Sequence, residues 1–360
     1  MDELRVSTEY PYPIYCARDF DGLGAALVKA GLKGRRACVV SDANVADIYL
    51  NALLGQLEPV AELSHIEFAP GESSKNLDTI AEFYRFFIER RLDRQAVVIA
   101  LGGGVTGDMA GFAAATYMRG VAYVQVPTSL LAQVDSSVGG KTGVDFTGHK
   151  NIVGAFYQPA LVYINVNTLK TLPAREFSSG MGEVIKHGLI GGADYFRFIR
   201  ERRGSIRALE EDALAEMVLG SCAIKAGVVS RDEKEFGPRA ILNFGHTFGH
   251  AIESLSGFRL PHGHCVALGM CAALHICAGQ AGIDKDQVFE LLTYFGLPVN
   301  LGGCADFSAC DVYNQMTMDK KNSGGAINAV MLRALGEAYV ERGLAQAVIL
   351  DALARIGVGT

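Results

Sequence analysis

No two of the eight cysteines stand in a CxxC pair, and several fall in apolar, helix-like stretches. In a chain of 360 residues that pattern points to reduced, buried thiols in a cytosolic protein rather than to a disulfide framework. Basic runs are absent and the formal charge is −6. That argues against a nucleic-acid binder or a protein held to an anionic membrane, while leaving room for a locally basic pocket. The opening MDELRVSTEY has neither the basic nor the apolar region of a signal peptide, so the expected location is cytoplasmic. The longest apolar stretch, Cys265 to Gly279, contains His275 and is too short to span a bilayer. Internal repeats and low-complexity linkers are lacking as well. What remains is 49% apolar and 20% charged, the composition of a soluble enzyme long enough for two domains with their own cores.

The chain's most informative stretch is RAILNFGHTFGHAIESLSGFRLPHGHCVALGM, from Arg239 to Met270, which holds four of the eight histidines. His246 and His250 are four residues apart and would share one face of a helix over AILNFGHTFGHAIESL. A loop with Gly257 and Pro261 then leads to His262 and His264, just before CVALGMCAALHICAG, which is apolar nearly all round and predicts a buried helix. A helix-borne histidine with another at a loop–helix junction is a common way to build a zinc site with an open position. Any one of these residues alone would read as a core or capping histidine. Upstream, Glu183 and Lys186 in GMGEVIKHGLI lie i, i+3 among Val184, Ile185, Leu189 and Ile190, which predicts a partly buried pair and makes Glu183 a candidate third ligand.

The first half alternates strand and helix signals. RRACVVSDANV is a short β-branched run ending in Asp42 and Asn44, where a Rossmann-like sheet would meet a ribose, although a surface turn explains an isolated Asp as well. HIEFAPGESSKN ends a further strand and LDTIAEFYRFFIERRL has helical periodicity. AVVIALGGG is apolar throughout, as a strand covered on both faces should be. It runs into GGGVTGDMAGFAAATYM, three glycines and a small-residue helix that let backbone N–H groups approach a pyrophosphate. The run is neither GxGxxG nor a P-loop. VAYVQVPTSLLAQVDSSVGGKTGVDF and GHKNIVGAF then supply Lys141 and Lys150 in a polar, tight-turn region suited to an anion. Residues 1–172 thus read as an α/β Rossmann-like nucleotide-binding domain, and residues 173–360 as a mainly α-helical, metal-binding and substrate-binding domain ending in a hairpin after MTMDKKN.

Taken together, PGESSK, GGGVTGDMAGFAA, VPTSLLAQVDSSVGGKTGVD with HKNIVGAF, TLKTLP, GMGEVIKHG, RAILNFGHTFGHAIE, HGHCVALGM and DKKN resemble the 3-dehydroquinate synthases of the shikimate pathway, within the sugar-phosphate cyclases. The resemblance covers nearly the whole chain. It implies a dehydroquinate synthase-like fold and a lyase of chorismate and aromatic amino acid biosynthesis. Such an enzyme turns 3-deoxy-D-arabino-heptulosonate 7-phosphate into 3-dehydroquinate and phosphate by transient oxidation, β-elimination, re-reduction, ring opening and aldol closure. NAD+ is the implied cofactor, with a divalent Zn2+ or Co2+.

By the same resemblance the metal ligands are Glu183, His246 and His262. His250, which spacing alone pairs with His246, goes to the substrate's phosphate instead. Cofactor contacts fall on Asp42, Asn44, Glu72, Lys75, Gly103, Gly104, Val105, Asp108, Thr128, Ser129, Lys150 and the TLKT segment Thr168, Leu169, Lys170 and Thr171. Asp135 and Lys141 take the nicotinamide end. The catalytic set is Lys141, Glu183, Lys186, Lys225, Arg239, Asn243 and His250, with Asp135, Asn151, Lys320 and Lys321 also on the substrate. Arg119, in TYMRG, is expected to reach the neighbouring active site of a homodimer. One departure concerns HGH, where most members would have HGE: His264 replaces a glutamate two residues past a metal ligand, as a change behind the ligands, an alternative ligand or a neutral surface substitution.

Other readings differ in the pocket. A sister cyclase making an epi-valiolone or a deoxy-inosose has no substrate carboxylate to justify Arg239, Asn243 and the DKKN lysines. A metal-dependent polyol dehydrogenase has no use for the SSVGGK and GHKN loops. A non-catalytic NAD-binding module would not keep the metal residues and lysines together.

Overall fold

Strands and helices alternate from the first residues: β1 (Asp2–Val6), β2 (Tyr12–Ala17), α1 (Leu23–Lys29), β3 (Arg36–Asp42), α2 (Ala43–Leu54), β4 (Glu62–Phe68), α3 (Leu77–Glu89), β5 (Val97–Gly102), α4 (Gly104–Thr116) and β6 (Ala122–Pro127). Next come β7 (Lys141–Phe146), β8 (His149–Phe156), β9 (Leu161–Asn165), α5 (Ala174–Gly191), α6 (Ala193–Glu201), α7 (Arg203–Arg207) and α8 (Glu211–Val229). The remainder is α9 (His246–Leu255), α10 (His262–Ala281), α11 (Lys285–Tyr294), α12 (Ala309–Thr317), β10 (Ala329–Ala334), β11 (Glu337–Glu341) and α13 (Gln346–Arg355). This computed structural model describes residues 1–281, 283–302, 306–318 and 327–359. Lys320 and Lys321 lie outside the described residues.

Two compact units emerge: Met1–Leu172 with Glu211–Lys234, and Pro173–Glu210 with Glu235–Thr360. Chain order would assign α8 to the second. Its apolar side instead packs on β1, β2 and the turn Ala132–Ser136, which places it with the first.

The first unit holds a seven-stranded sheet in the order β1-β2-β9-β6-β5-β3-β4, parallel except for β1 against β2. Successive side chains of β5 alternate between faces. Val97, Ile99 and Leu101 pack with Val39 and Val126 against Leu23 and Leu27 of α1 and Leu50 and Leu53 of α2. Val98 and Ala100 pack with Cys38 and Val40 against Ile80, Phe83 and Phe87 of α3 and Met109, Ala110 and Ala113 of α4. Burial on both sides is why this strand is apolar at every position. The polar region around Lys141 and Lys150 is a β7–β8 hairpin, with its own antiparallel ladder.

In the second unit α10 is apolar nearly all round because α5, α9, α13 and β10 surround it. By length and composition its segment His262–Gly279 could cross a membrane, but 72% of it is buried in the protein, as a core helix must be. The expected helix over AILNFGHTFGHAIESL forms only from His246; Pro238–Asn243 is a 3-10 turn, and Gly245 breaks the two with φ +80°. The helices of this unit touch at glycines. A Cβ on Gly269 would stand 1.9 Å from the carbonyl oxygen of Gly245, and one on Gly263 would stand 1.8 Å from that of Ser179. No other residue allows backbones that close.

Candidate active site

Three helices of the second unit converge on one carboxylate. Glu183, in the middle of α5, is fully buried. His246 is the first residue of α9 and His262 the first of α10. Their Nε2 atoms lie 3.6 Å and 3.5 Å from the same oxygen, Glu183 Oε1. The ring of His250 stands 5.0 Å from His246 and 5.8 Å from His262, but His250 is exposed. The three histidine rings also form a cluster able to hold a metal.

The spacing around Glu183 fits an ion. A tetrahedral zinc with bonds of about 2.0–2.1 Å keeps its ligands about 3.4 Å apart, which is longer than a good hydrogen bond and close to the separations here. The glutamate oxygens are enclosed, and no donor meets them in regular hydrogen-bond geometry. Lys186, itself buried, forms an ion pair with it. Burial opposes ionisation of Glu183, but Lys186, His262 and His246 hold its carboxyl well below the usual range. Burial and the Lys186 ammonium push His246 well down, leaving a neutral imidazole. His262 is opposed by burial too, yet the Glu183 and Glu253 carboxylates on either side of it raise it to about 10.

Both histidines beside Glu183 are held from behind. His246 Nδ1 is 3.2 Å from the Phe244 carbonyl oxygen, and His262 Nδ1 is 3.0 Å from Glu253 Oε2. Glu253 did not figure among the expected site residues. Its position seven residues after His246, two helical turns on the same face, was the available signal. His264 points elsewhere: its Nε2 meets Ser178 Oγ at 3.2 Å, and burial lowers its pKa. In place of the glutamate of HGE, His264 joins α10 to α5. Arg239 is buried in the 3-10 turn, and Asn243 donates to Glu235 Oε1 at 2.8 Å.

The first unit places the other expected residues. Strand β5 ends at Gly102, and α4 starts after Gly103 with no side chain capping it, so its first N–H groups, beside Gly104 and Val105, are open to an anion. A Cβ on Gly104 would approach Ser136 Oγ to 3.1 Å. Asp42 ends β3 and caps α2 by accepting from Val45 N at 3.2 Å, with Asn44 exposed in the first turn. Lys75 is buried, 2.7 Å from Asp108 Oδ2, and also donates to Asn151, which has φ +53°. Burial works against the Lys75 ammonium, but Asp108, Glu72 and Asp145 keep its pKa above the usual lysine value. Lys150 reaches Glu72 at 3.6 Å. Lys225 of α8 pairs with Asp135 at 2.6 Å.

Thr128 is buried after β6, and Ser129 Oγ accepts from Ala132 N at 3.3 Å. In TLKT, Thr168 and Leu169 are buried, whereas Lys170 and Thr171 are exposed, Lys170 on Glu211 at 2.7 Å. Lys141 is exposed at the start of β7. Arg119 is exposed, has φ +67° and makes no hydrogen bond or ion pair among the described residues. Seven described cysteines are free; six are buried as expected, while Cys310 is exposed.

Comparison with known proteins gives matches along the chain. The family profile described as 3-dehydroquinate synthase N-terminal matches residues 65–179, and that described as 3-dehydroquinate synthase C-terminal matches residues 180–322. A 3-dehydroquinate synthase of Ruminiclostridium cellulolyticum is 48% identical over 335 residues, 92% of each chain. Among solved structures, 2-epi-5-epi-valiolone synthase from Streptomyces hygroscopicus, with NAD+ and Zn2+ bound, superposes with a TM-score of 0.86 at 26% identity over 97% of both chains. A 2-deoxy-scyllo-inosose synthase complexed with carbaglucose-6-phosphate, NAD+ and Co2+ gives 0.87 at 24% identity over 98% of this chain and 99% of that one, a likeness of fold.

Proposed function

The chain belongs to the 3-dehydroquinate synthase family, and from that membership we infer the reaction and the residues that carry it. It is a carbon–oxygen lyase of the shikimate pathway, converting 3-deoxy-D-arabino-heptulosonate 7-phosphate into 3-dehydroquinate and inorganic phosphate with NAD+ and a divalent Zn2+ or Co2+. The observation that carries the site assignment is the approach of His246 and His262 Nε2 to one oxygen of buried Glu183.

Those three residues would hold the ion, which would supply a Lewis acid for a substrate hydroxyl. Bound NAD+ would supply reversible hydride chemistry with no net redox change over the cycle. Its residues are in the first unit: Asp42 and Asn44 beyond β3, Glu72, Lys75 and Asp108, the open start of α4 at Gly103, Gly104 and Val105, Thr128, Ser129, Lys150 and Thr168 to Thr171. Asp135 and Lys141 serve its nicotinamide end.

The substrate carries a carboxylate and a phosphate, and each unit offers buried or paired cations for such groups despite the net charge of −6. Arg239 supplies a planar fork suited to two-point contact with the carboxylate. Asn243 orients the substrate beside it. Lys186 keeps Glu183 ionised and so keeps a ligand available. Lys141, Asn151 and Lys225 are proposed for the sugar phosphate. His250, exposed beside the two ligand histidines, exchanges a proton at the leaving-group oxygen. Lys320 and Lys321 are proposed for the same anion from the sequence alone.

We also propose a cytoplasmic homodimer in which Arg119 serves the neighbouring active site. Its exposure, positive φ and lack of a partner among the described residues support that role.

Purified enzyme with NAD+ and Zn2+ should release phosphate from 3-deoxy-D-arabino-heptulosonate 7-phosphate and form 3-dehydroquinate. Sedoheptulose 7-phosphate and glucose 6-phosphate should stay intact. Turnover of either alone would move the protein to a sister cyclase.

A further inference from the structure

Glu253 is one of the few buried acidic side chains that the assigned roles leave unused. It lies on α9, seven residues after His246, and its Oε2 is 3.0 Å from His262 Nδ1. Burying a carboxylate is costly unless a donor meets it. One donor here is the ring edge opposite the one that faces Glu183, so Glu253 stands behind His262 and outside the ligand set.

We propose that Glu253 is the positioning residue of the metal site. By accepting the Nδ1 proton it fixes the His262 tautomer, holds the ring in the plane that aims Nε2 at Glu183 Oε1, and makes Nε2 a stronger donor. The two ligand histidines then differ. His246 is oriented by the neutral Phe244 carbonyl and His262 by a carboxylate, so the charged support sits on the histidine farther along the chain from Glu183. Loop residues 256–261 connect α9 to α10, and the Glu253–His262 bond spans that loop directly. It therefore fixes the start of α10 relative to α9 as well as the ring. This rests on Glu183, His246 and His262 being the metal ligands.

The test uses full-length protein stripped of metal and compares wild type, Glu253→Ala, Glu253→Gln and Glu183→Ala. Zinc affinity is read by competition with a chromophoric chelator, Co2+ absorption in the visible reports ligand field, and NAD+ affinity serves as a control for folding. Losing an orienting partner should weaken zinc binding by about 10–100-fold in Glu253→Ala. Glu253→Gln, which keeps an acceptor without the charge, should lose less and still shift the Co2+ bands. NAD+ affinity should not change, and zinc should restore activity at high concentration. Unchanged zinc affinity and Co2+ spectrum in Glu253→Gln, with Glu183→Ala losing zinc, overturns the positioning role alone. No zinc binding by wild type overturns the ligand assignment, and the positioning role with it. If Glu253→Ala does not fold, Glu253→Gln carries the same decision.

Discussion

Gly263→Ala should loosen the metal site through one methyl group. Gly263 is the second residue of α10, next to His262, and faces α5 four residues before Glu183: its amide donates to Ser179 Oγ at 3.0 Å. A Cβ there would sit 1.8 Å from the Ser179 carbonyl oxygen and 2.6 Å from its carbon. Contacts under 3.0 Å do not occur for real Cβ atoms, so the helices must part by about 1 Å or more. Glu183 Oε1 and His262 Nε2, now 3.5 Å apart, would separate beyond the edge of a tetrahedral site. Overpacking of this kind costs roughly 1–3 kcal/mol. Bringing the ligands back together against that strain corresponds to about one to two orders of magnitude in zinc affinity. Gly279→Ala, on the same helix but in open space, is the control. It should gain up to about 1 kcal/mol from helix propensity and bind zinc normally. Chelator competition and urea unfolding of both variants decide the matter. Wild-type zinc affinity in Gly263→Ala would mean that glycine contacts do not set the ligand geometry.

Two further outcomes follow from buried charge and from Arg119. Lys186→Met leaves the Glu183 carboxylate buried without its ammonium, which should destabilise metal-free protein by about 3–5 kcal/mol in urea unfolding. Zinc should then stabilise this variant more than it stabilises wild type, and equal stabilisation would contradict the pairing. Arg119→Ala should leave stability within about 0.5 kcal/mol, because the side chain is exposed, yet lower kcat/KM. Mixing it with inactive Glu183→Ala protein should give more activity than the two parents summed, since mixed dimers contain a site with both residues. No gain after subunit exchange would place Arg119 in its own protomer's site or outside catalysis.

Much of the architecture was legible because it depends on local pattern. The all-apolar β5 follows from burial on both faces, and the period of α3 follows from Ile80, Phe83 and Phe87 facing one side. Long-range pairing was not legible in the same way. The β7–β8 hairpin reads as a polar loop because one strand of it is mostly exposed and so carries no apolar alternation. The helix at His246 starts later than periodicity suggests because Gly245 takes a left-handed conformation that composition does not reveal. At the site, spacing favours His246 with His250, since i, i+4 residues share a face. The structure keeps those two rings together with His262 and also brings His246 and His262 to Glu183, on three helices brought close by glycines whose purpose appears only when the backbones meet. Likewise the contact of His264 with Ser178 appears only when α10 and α5 meet.

The measurement that bears most directly on the whole account follows phosphate and NADH together. Enzyme, NAD+ and Zn2+ are mixed with 3-deoxy-D-arabino-heptulosonate 7-phosphate, before and after chelation, while phosphate release and absorbance of reduced nicotinamide are recorded in one cuvette. Phosphate should accumulate over many turnovers without NADH building up, stop on chelation, resume with added Zn2+ or Co2+, and be absent in Glu183→Ala. Steady accumulation of NADH, or phosphate release that persists in Glu183→Ala, would contradict it.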